Sequence, residues 1–307
     1  MALRPLRIGT RGSAMALHQA NLVRERLFAA HPGLTGPGMM ALEVIRTTGD
    51  RVQNRLLAEI GGKGLFTKEI EQALIDRRID LAVHSLKDME TFLPPGLVIA
   101  CVLPRDDPRD ALVTRDGGPL AALPQGARIG TASLRRKAQL LRHRPDLAVA
   151  PIRGNVDTRL AKLAADEANG LLLALSGLAR LGKTDMASEI LSPEIMLPAV
   201  GQGALAIETR ADDPELHEML LPLHDAASAA CVTAERAMLA ALDGSCRTPI
   251  AGLATLADGR LYLRARLLAE DGSAERRAEG ASADAEALGR EIGERLRRDA
   301  GPEFGLS

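Results

Sequence analysis

The chain of 307 residues is poor in aromatic side chains and in cysteine. It contains no Trp, one Tyr and four Phe, which is too few for a base-stacking platform or an aromatic sugar cleft. Three Cys cannot form a disulfide scaffold, and their spacing is not that of zinc ligands. With 39 cations against 40 anions, the net charge of -1 argues against a generally basic nucleic-acid-binding protein.

Long apolar runs are also missing. No stretch approaches the roughly eighteen apolar residues of a membrane-spanning helix, and residues 1–10 lack the apolar centre of a secretion signal. The hydrophobic content of 46% is ordinary for a globular protein, and the length suggests two or three domains. We therefore expect a cytoplasmic multidomain protein with no nucleic-acid partner and no membrane partner.

Strand and helix patterns alternate over the first two thirds of the chain, which predicts α/β lobes with mainly parallel sheets. The run Arg7-Ile-Gly-Thr10 recurs as Arg128-Ile-Gly-Thr131, and a serine and a helical glutamine follow each copy (Ser13 and Gln19, Ser133 and Gln139). This repeat predicts two similar lobes that point helix N-termini at a shared cleft, an arrangement suited to an anionic ligand.

The pattern of predicted helices and strands changes after residue 225. A helix over 226–242, a hairpin with Asp258-Gly259 at its turn and a final helix over 284–298 predict a small α+β domain. The predicted domains are 1–103 with 199–224 as a discontinuous first lobe, 104–198 as a second, carboxylate-binding lobe, and 225–307 as the third domain.

Positive charge is concentrated in one segment. Only six of the 39 cations are Lys, and residues 128–159 hold eight cations against two acids, a local excess of +6. Arg135 and Arg136 occupy a predicted helix start, where the helix dipole favours anions, so their placement has a cost unless an anion relieves it. Arg153 and Arg159 flank another helix start. These four arginines predict a polyanion site.

Two further motifs are candidates for chemistry. His84-Ser-Leu-Lys-Asp88 follows a buried strand, at the end where α/β proteins bind ligands. Its Lys-Asp pair could be a surface ion pair or a cleft carboxylate, and the spacing does not decide between them. Cys246 lies in a turn-rich loop, whereas Cys101 and Cys231 fit buried positions. No His adjoins Cys246, so a cysteine nucleophile is poorly supported.

Taken together, the motifs resemble those of the porphobilinogen deaminase (hydroxymethylbilane synthase) family. The resemblance rests on eight segments in order: 7–13 with Gln19, 61–66, 84–88, 105–110, 131–136, 153–159, 197–203 and the Cys246 loop. It implies two lobes like those of periplasmic binding proteins plus a small cofactor-bearing domain. It also implies a monomer that condenses four porphobilinogen molecules stepwise into hydroxymethylbilane, with loss of ammonia at each addition, for haem and other tetrapyrroles.

The resemblance further implies roles for individual residues. Cys246 would hold a dipyrromethane cofactor through a thioether, and Asp88 would be the catalytic carboxylate, stabilising a cationic azafulvene-like intermediate. No metal is implied. The remaining site residues would bind acetate and propionate side chains of cofactor and substrate: Arg11, Ser13, Lys87, Arg135, Arg136, Arg153, Arg159 and Arg180.

Two positions depart from the family pattern. Met89-Glu90 stands where a small apolar residue and Pro are usual, and Ser245 stands where Gly usually precedes the cysteine. Two other classes stay open at this stage. One is a non-catalytic, two-lobed binder of a small anion, and the other is a cysteine hydrolase.

Overall fold

The computed structural model describes residues 4–51, 64, 66–243 and 248–306. The strands in chain order are β1 Leu6–Thr10, β2 Met40–Val44, β3 Leu81–Ser85, β4 Leu97–Val102, β5 Asp110–Thr114, β6 Arg128–Gly130, β7 Ala148–Ala150, β8 Gly170–Ala174, β9 Glu189–Ile190, β10 Leu205–Arg210, β11 Ile250–Ala257, β12 Arg260–Leu268 and β13 Glu275–Ser282. The helices are α1 Ala14–Ala30, α2 Thr48–Arg51, α3 Lys68–Ile75, α4 Leu134–His143, α5 Val156–Ala164, α6 Leu175–Arg180, α7 Pro214–Leu220, α8 Ala226–Ala241 and α9 Ala285–Arg298.

The chain divides into two compact units. The first comprises residues 1–105 and 204–229, and the second comprises residues 106–203 and 230–307. The first unit is built on a five-stranded sheet in the order β2-β1-β3-β10-β4. Strand β1 runs parallel to β2 and β3, whereas β10 is antiparallel to β3 and β4. One sheet face packs on α1 and α7 around Leu27 and Leu216, and the other packs on α3 around Ile70 and Leu74.

The second unit contains a five-stranded sheet with the same plan, in the order β7-β6-β8-β5-β9. Here β6 is parallel to β7 and β8, and β5 is antiparallel to β8 and β9. The repeated motif starts equivalent elements in both sheets, because Ser13 caps α1 after β1 and Ser133 caps α4 after β6. The predicted pair of similar α/β lobes is therefore confirmed. The expectation of mainly parallel sheets is wrong, because β10 and β5 each lie antiparallel to both of their neighbours.

The rest of the second unit is a three-stranded antiparallel sheet, β11-β12-β13, covered by α8 and α9. The predicted hairpin turn is present, with Asp258 and Gly259 both at positive φ (50° and 71°), as a tight two-residue turn requires. Asp284 caps α9 by accepting a hydrogen bond from the backbone N–H of Ala287 at 2.9 Å. The mixed α/β fold class, with a small α+β part at the C-terminal end, is confirmed.

None of the helices within the described part of the chain is long and apolar enough to cross a bilayer.

Helices α8 and α9 approach each other closely at two glycines of α9. A Cβ atom on Gly289 would lie 2.2 Å from the carbonyl oxygen of Ala234, and one on Gly293 would lie 2.6 Å from the carbonyl oxygen of Met238. Backbone atoms cannot give way as a flexible side chain does, so these positions fix the distance between the two helices.

We predict that Gly289→Ala destabilises the protein by about 1–3 kcal/mol, because the added methyl group forces the helices apart. The free energy of unfolding in urea measures the effect. Glu291→Ala, at an exposed position of the same helix, serves as the control. Equal stability of the two variants would contradict the close contact.

Candidate active site

The predicted catalytic carboxylate lies just beyond the end of β3. Leu86, Lys87 and Asp88 form a single 3-10 turn, whose N-terminal residue donates its N–H to the carbonyl of Ala204 at 3.0 Å. Leu86 and Met89 are buried on either side of this turn, whereas Asp88 is exposed and Lys87 is half-buried. The Asp88 carboxylate forms no hydrogen bond or ion pair with any residue that the structure describes.

Side chains on both faces of the sheet hold the end of β3. The Nε2 atom of His84 lies 3.0 Å from Oε2 of Glu208 on one face, and both side chains are almost fully buried. Ser85 points to the opposite face, where its hydroxyl accepts a hydrogen bond from the Gln19 amide at 2.9 Å. The turn that carries Asp88 therefore starts from a strand end fixed on two sides.

A second buried acid faces the His84–Glu208 pair from α3. Burial raises the pKa of Glu71, the negative charges of Glu208 and Glu90 act in the same direction, and the nearby Thr67 hydroxyl and His84 oppose them. Two buried carboxylates, those of Glu71 and Glu208, and the imidazole of His84 thus lie behind the turn.

Arg11 and Ser13 follow the end of β1, the parallel neighbour of β3, so they lie at the same sheet edge as Lys87 and Asp88. Ser13 accepts a hydrogen bond from the N–H of Ala16 at 3.2 Å. The Arg11 guanidinium pairs with Asp50 at 2.5 Å and stacks over the Phe66 ring, 4.2 Å from its centroid. Burial opposes ionisation of Asp50, but Arg11 and Thr47 outweigh it and lower the pKa of that carboxyl.

In the second unit, Arg135 and Arg136 occupy the first turn of α4, and both guanidinium groups are buried against Asp110. Arg135 Nη1 lies 2.7 Å from Asp110 Oδ2, and Arg136 Nη2 lies 2.7 Å from Asp110 Oδ1. The Gln202 amide donates to the same carboxylate at 2.9 Å. Burial alone would raise the pKa of Asp110, yet the two guanidinium groups hold it well below its usual range.

This carboxylate supplies the anion that two cations at a helix start require. The sequence predicts this requirement at Arg135 and Arg136 but indicates only a ligand to meet it. The structure shows that Asp110, within the 105–110 motif, meets it inside the fold. The signal that could have found it is an acid at the start of a buried strand, where an unpaired carboxylate would be too costly.

The other predicted arginines of the second unit follow the ends of β7 and β8, which lie at the same edge as α4. Arg153 is half-buried, and its Nη1 is a buried donor with no hydrogen-bond acceptor among the described residues. Arg159 donates to the carbonyl of Gly154 at 2.8 Å. Arg180 pairs with Asp106 at 2.7 Å and donates to the carbonyl of Gly203.

Within each unit, the structure thus places one set of predicted residues at a single sheet edge. Arg11, Ser13, Lys87 and Asp88 lie at the carboxyl edge of the first sheet, and Arg135, Arg136, Arg153, Arg159 and Arg180 follow the carboxyl ends of strands in the second.

Cys246 lies outside the described residues, as do residues 61–63 and 65 of the family motif. The other two cysteines are buried, as expected, and burial raises the pKa of Cys101 to about 12, so its thiol is unreactive at neutral pH. Among the described residues, no three His, Cys, Asp or Glu side chains are grouped so that they could hold a metal ion.

A duplicated α/β sheet with charged side chains at the carboxyl ends of its strands is typical of two-lobed proteins that bind small polar molecules. Comparison with known proteins gives the family. Residues 6–218 match the dipyrromethane cofactor binding domain of porphobilinogen deaminase, and residues 229–298 match its C-terminal domain. The chain belongs to the porphobilinogen deaminase family, whose members are enzymes of tetrapyrrole biosynthesis that use porphobilinogen and a dipyrromethane cofactor.

Two relatives show how far the similarity extends. Porphobilinogen deaminase of Paracoccus denitrificans is 54% identical, over 98% of this chain and 96% of the relative. The enzyme of Nitrobacter hamburgensis is 52% identical, over 97% and 94%. Among solved structures, a Salmonella typhimurium periplasmic binding protein with high arginine specificity is 12% identical, covers 74% of this chain and 94% of its own, and has a TM-score of 0.38. The anion binder and the cysteine hydrolase are no longer supported as alternatives.

We predict that Asp110→Asn lowers the free energy of unfolding at pH 7 by about 3–5 kcal/mol, because Arg135 and Arg136 lose the anion that compensates their burial. Because its folded-state pKa is lowered, Asp110 stabilises the fold above its unfolded-state pKa of about 3.9, and that stabilisation is lost as the pH falls below this value.

Urea unfolding at pH 7 and at low pH measures both effects, with Asp185→Asn at an exposed position as the control. The difference between Asp110→Asn and the wild type should shrink on acidification. A difference that stays constant with pH would contradict the assigned ion pairs.

Proposed function

We propose that Asp88 is the catalytic carboxylate of porphobilinogen condensation in this chain. The observation that carries the proposal is an exposed carboxylate on a turn with buried anchors, next to Lys87 and at the same sheet edge as Arg11 and Ser13. A carboxylate in this position accepts hydrogen bonds from a pyrrole N–H. It also stabilises the positive charge that develops on the substrate ring as ammonia leaves.

The second unit supplies the donors for the carboxylates of cofactor and substrate. One observation in particular fits such a group. Arg153 Nη1 and Arg135 Nε are buried guanidinium atoms that have no hydrogen-bond partner among the described residues. A buried donor left unpaired is costly, and a ligand carboxylate would satisfy it. We infer that the dipyrromethane is held by Ser13, Lys87, Asp88, Arg135 and Arg136, and that Cys246 anchors it through a thioether. When bound, that group supplies the pyrrole carbon to which the first substrate is added.

Substrate carboxylates are proposed to bind to Arg11, Ser13, Arg153, Arg159 and Arg180. Arg11 and Arg180 already pair with Asp50 and Asp106, so a carboxylate that binds there shares or replaces an existing ion pair. Both acids are partly exposed and can move away at modest cost. Such ion pairs keep the arginine side chains oriented in the absence of substrate.

We also propose the finer assignments that the comparisons do not reach. These are a monomeric enzyme in the cytoplasm, without nucleic-acid or membrane partners, and the three domains 1–103 with 199–224, 104–198 and 225–307. The near-zero net charge supports the lack of a nucleic-acid partner.

Covalent anchoring predicts a mass excess. Intact mass spectrometry of the purified protein should show the chain mass plus two pyrrole units, and Cys246→Ala should remove this excess. Cys101→Ala and Cys231→Ala are the matched controls and should keep it. An active protein without the added mass would overturn the thioether assignment.

The role of Asp88 predicts a loss of turnover without a loss of structure. Asp88→Asn should keep the fold and the added mass but lower kcat for porphobilinogen consumption by about 10²–10³, because the charge opposite the developing cation is removed. Glu25→Gln, at an exposed position of α1, should keep wild-type kcat. Turnover near that of the wild type in Asp88→Asn would rule out the role.

A further inference from the structure

Glu90 stands where the resemblance described above implies proline. It follows the Asp88 turn by two residues, immediately after the buried side chain of Met89. Met89 has φ -80° and ψ 148°, the extended conformation that a residue before proline adopts. The backbone therefore has the shape that a following proline would favour, without the ring that would enforce it.

A hydrogen bond fixes the chain at this point instead. Oε1 of Glu90 accepts the backbone N–H of Gly64 at 2.5 Å. Gly64 is itself buried and has a φ of +72°, which a residue with a side chain rarely adopts. Its carbonyl accepts the N–H groups of Thr67 (3.1 Å) and Lys68 (3.0 Å) at the start of α3. Glu90 thus ties the Asp88 turn to the first turn of a packed helix.

The charge of Glu90 adds to the effect and also carries a cost. A carboxylate at the N-terminal end of α3 interacts favourably with the helix dipole. It also interacts unfavourably with Glu71 of α3, because the negative charges of Glu90 and of Glu208 on β10 both raise the pKa of Glu71. An apolar side chain at this position would not have that repulsion. In Glu90, the hydrogen bond to Gly64 offsets the repulsion.

We propose that Glu90 is a positioning residue for Asp88, which acts through the Gly64 hydrogen bond and takes the place of the proline constraint. The upstream end of the turn is held by His84 and Ser85 of β3, and Glu90 holds the downstream end. This inference rests on the proposed role of Asp88, because a fixed turn matters to catalysis only if its carboxylate acts on the substrate.

The test compares four substitutions in the full-length, cofactor-loaded protein. Glu90→Ala should lower kcat about tenfold with KM and the cofactor mass unchanged, since a displaced catalytic group slows chemistry more than binding. Glu90→Gln keeps the acceptor and should stay near the wild type. Glu90→Asp keeps the charge but shortens the reach, and should resemble Glu90→Ala. Glu90→Pro should recover most of the lost kcat.

Hydrogen exchange at the Gly64 amide gives a readout independent of activity. It should be faster in Glu90→Ala, Glu90→Asp and Glu90→Pro than in the wild type, and unchanged in Glu90→Gln and in the exposed control Glu43→Ala. If Glu90→Ala does not fold, Glu90→Asp serves the same comparison.

Wild-type kcat in Glu90→Ala or Glu90→Asp would overturn the proposal, as would a Glu90→Gln variant as slow as Glu90→Ala. A wild-type protein that does not consume porphobilinogen would instead refute the proposed function. The exchange rates at Gly64 would still show whether Glu90 forms the hydrogen bond.

Discussion

The carboxylate of Asp110 is the interaction on which the second unit depends. It is fully buried at the start of β5, and it binds both arginines at the start of α4 and the amide of Gln202. Without it, two guanidinium groups would be repelled by the helix dipole and would also be buried without a counter-charge. With it, α4 can present arginines at the end of β6. A single anion therefore makes a cationic helix start compatible with a packed core.

The first unit also holds ionisable side chains in its interior. Glu208 and Glu71 are buried acids behind the Asp88 turn, and the imidazole of His84 lies 3.0 Å from Glu208. This polar group lies on the same sheet face as the apolar contacts of α3, so strand, helix and turn are fixed together. The exposed carboxylate of Asp88 stands on that fixed base. Preorganisation of this kind lets a charge act on a substrate without a prior rearrangement.

Local signals in the sequence were sufficient to predict the repeat and the hairpin turn at Asp258-Gly259. Each depends on residues within a few positions of one another, where turn and cap chemistry is short-ranged. The antiparallel insertion of β10 beside β3 was not predictable in this way, because about 120 residues separate the two strands. The partners of the site arginines were missed for the same reason. A charged residue in a sequence does not show which distant carboxylate it will face.

The two sets of site residues differ in what they have available for a ligand. In the second unit, Arg153 and Arg135 each have one buried donor atom with no partner in the part of the chain that the structure describes, so a ligand carboxylate would complete their hydrogen bonding. In the first unit, the backbone holds Asp88, whose carboxylate contacts no partner within that same part. Donors that lack an acceptor favour the binding of a polycarboxylate. A carboxylate held by its backbone instead stabilises a positive charge that develops on the substrate only during the reaction. The sequence motifs do not separate these two roles, and the contacts of the individual side chains do.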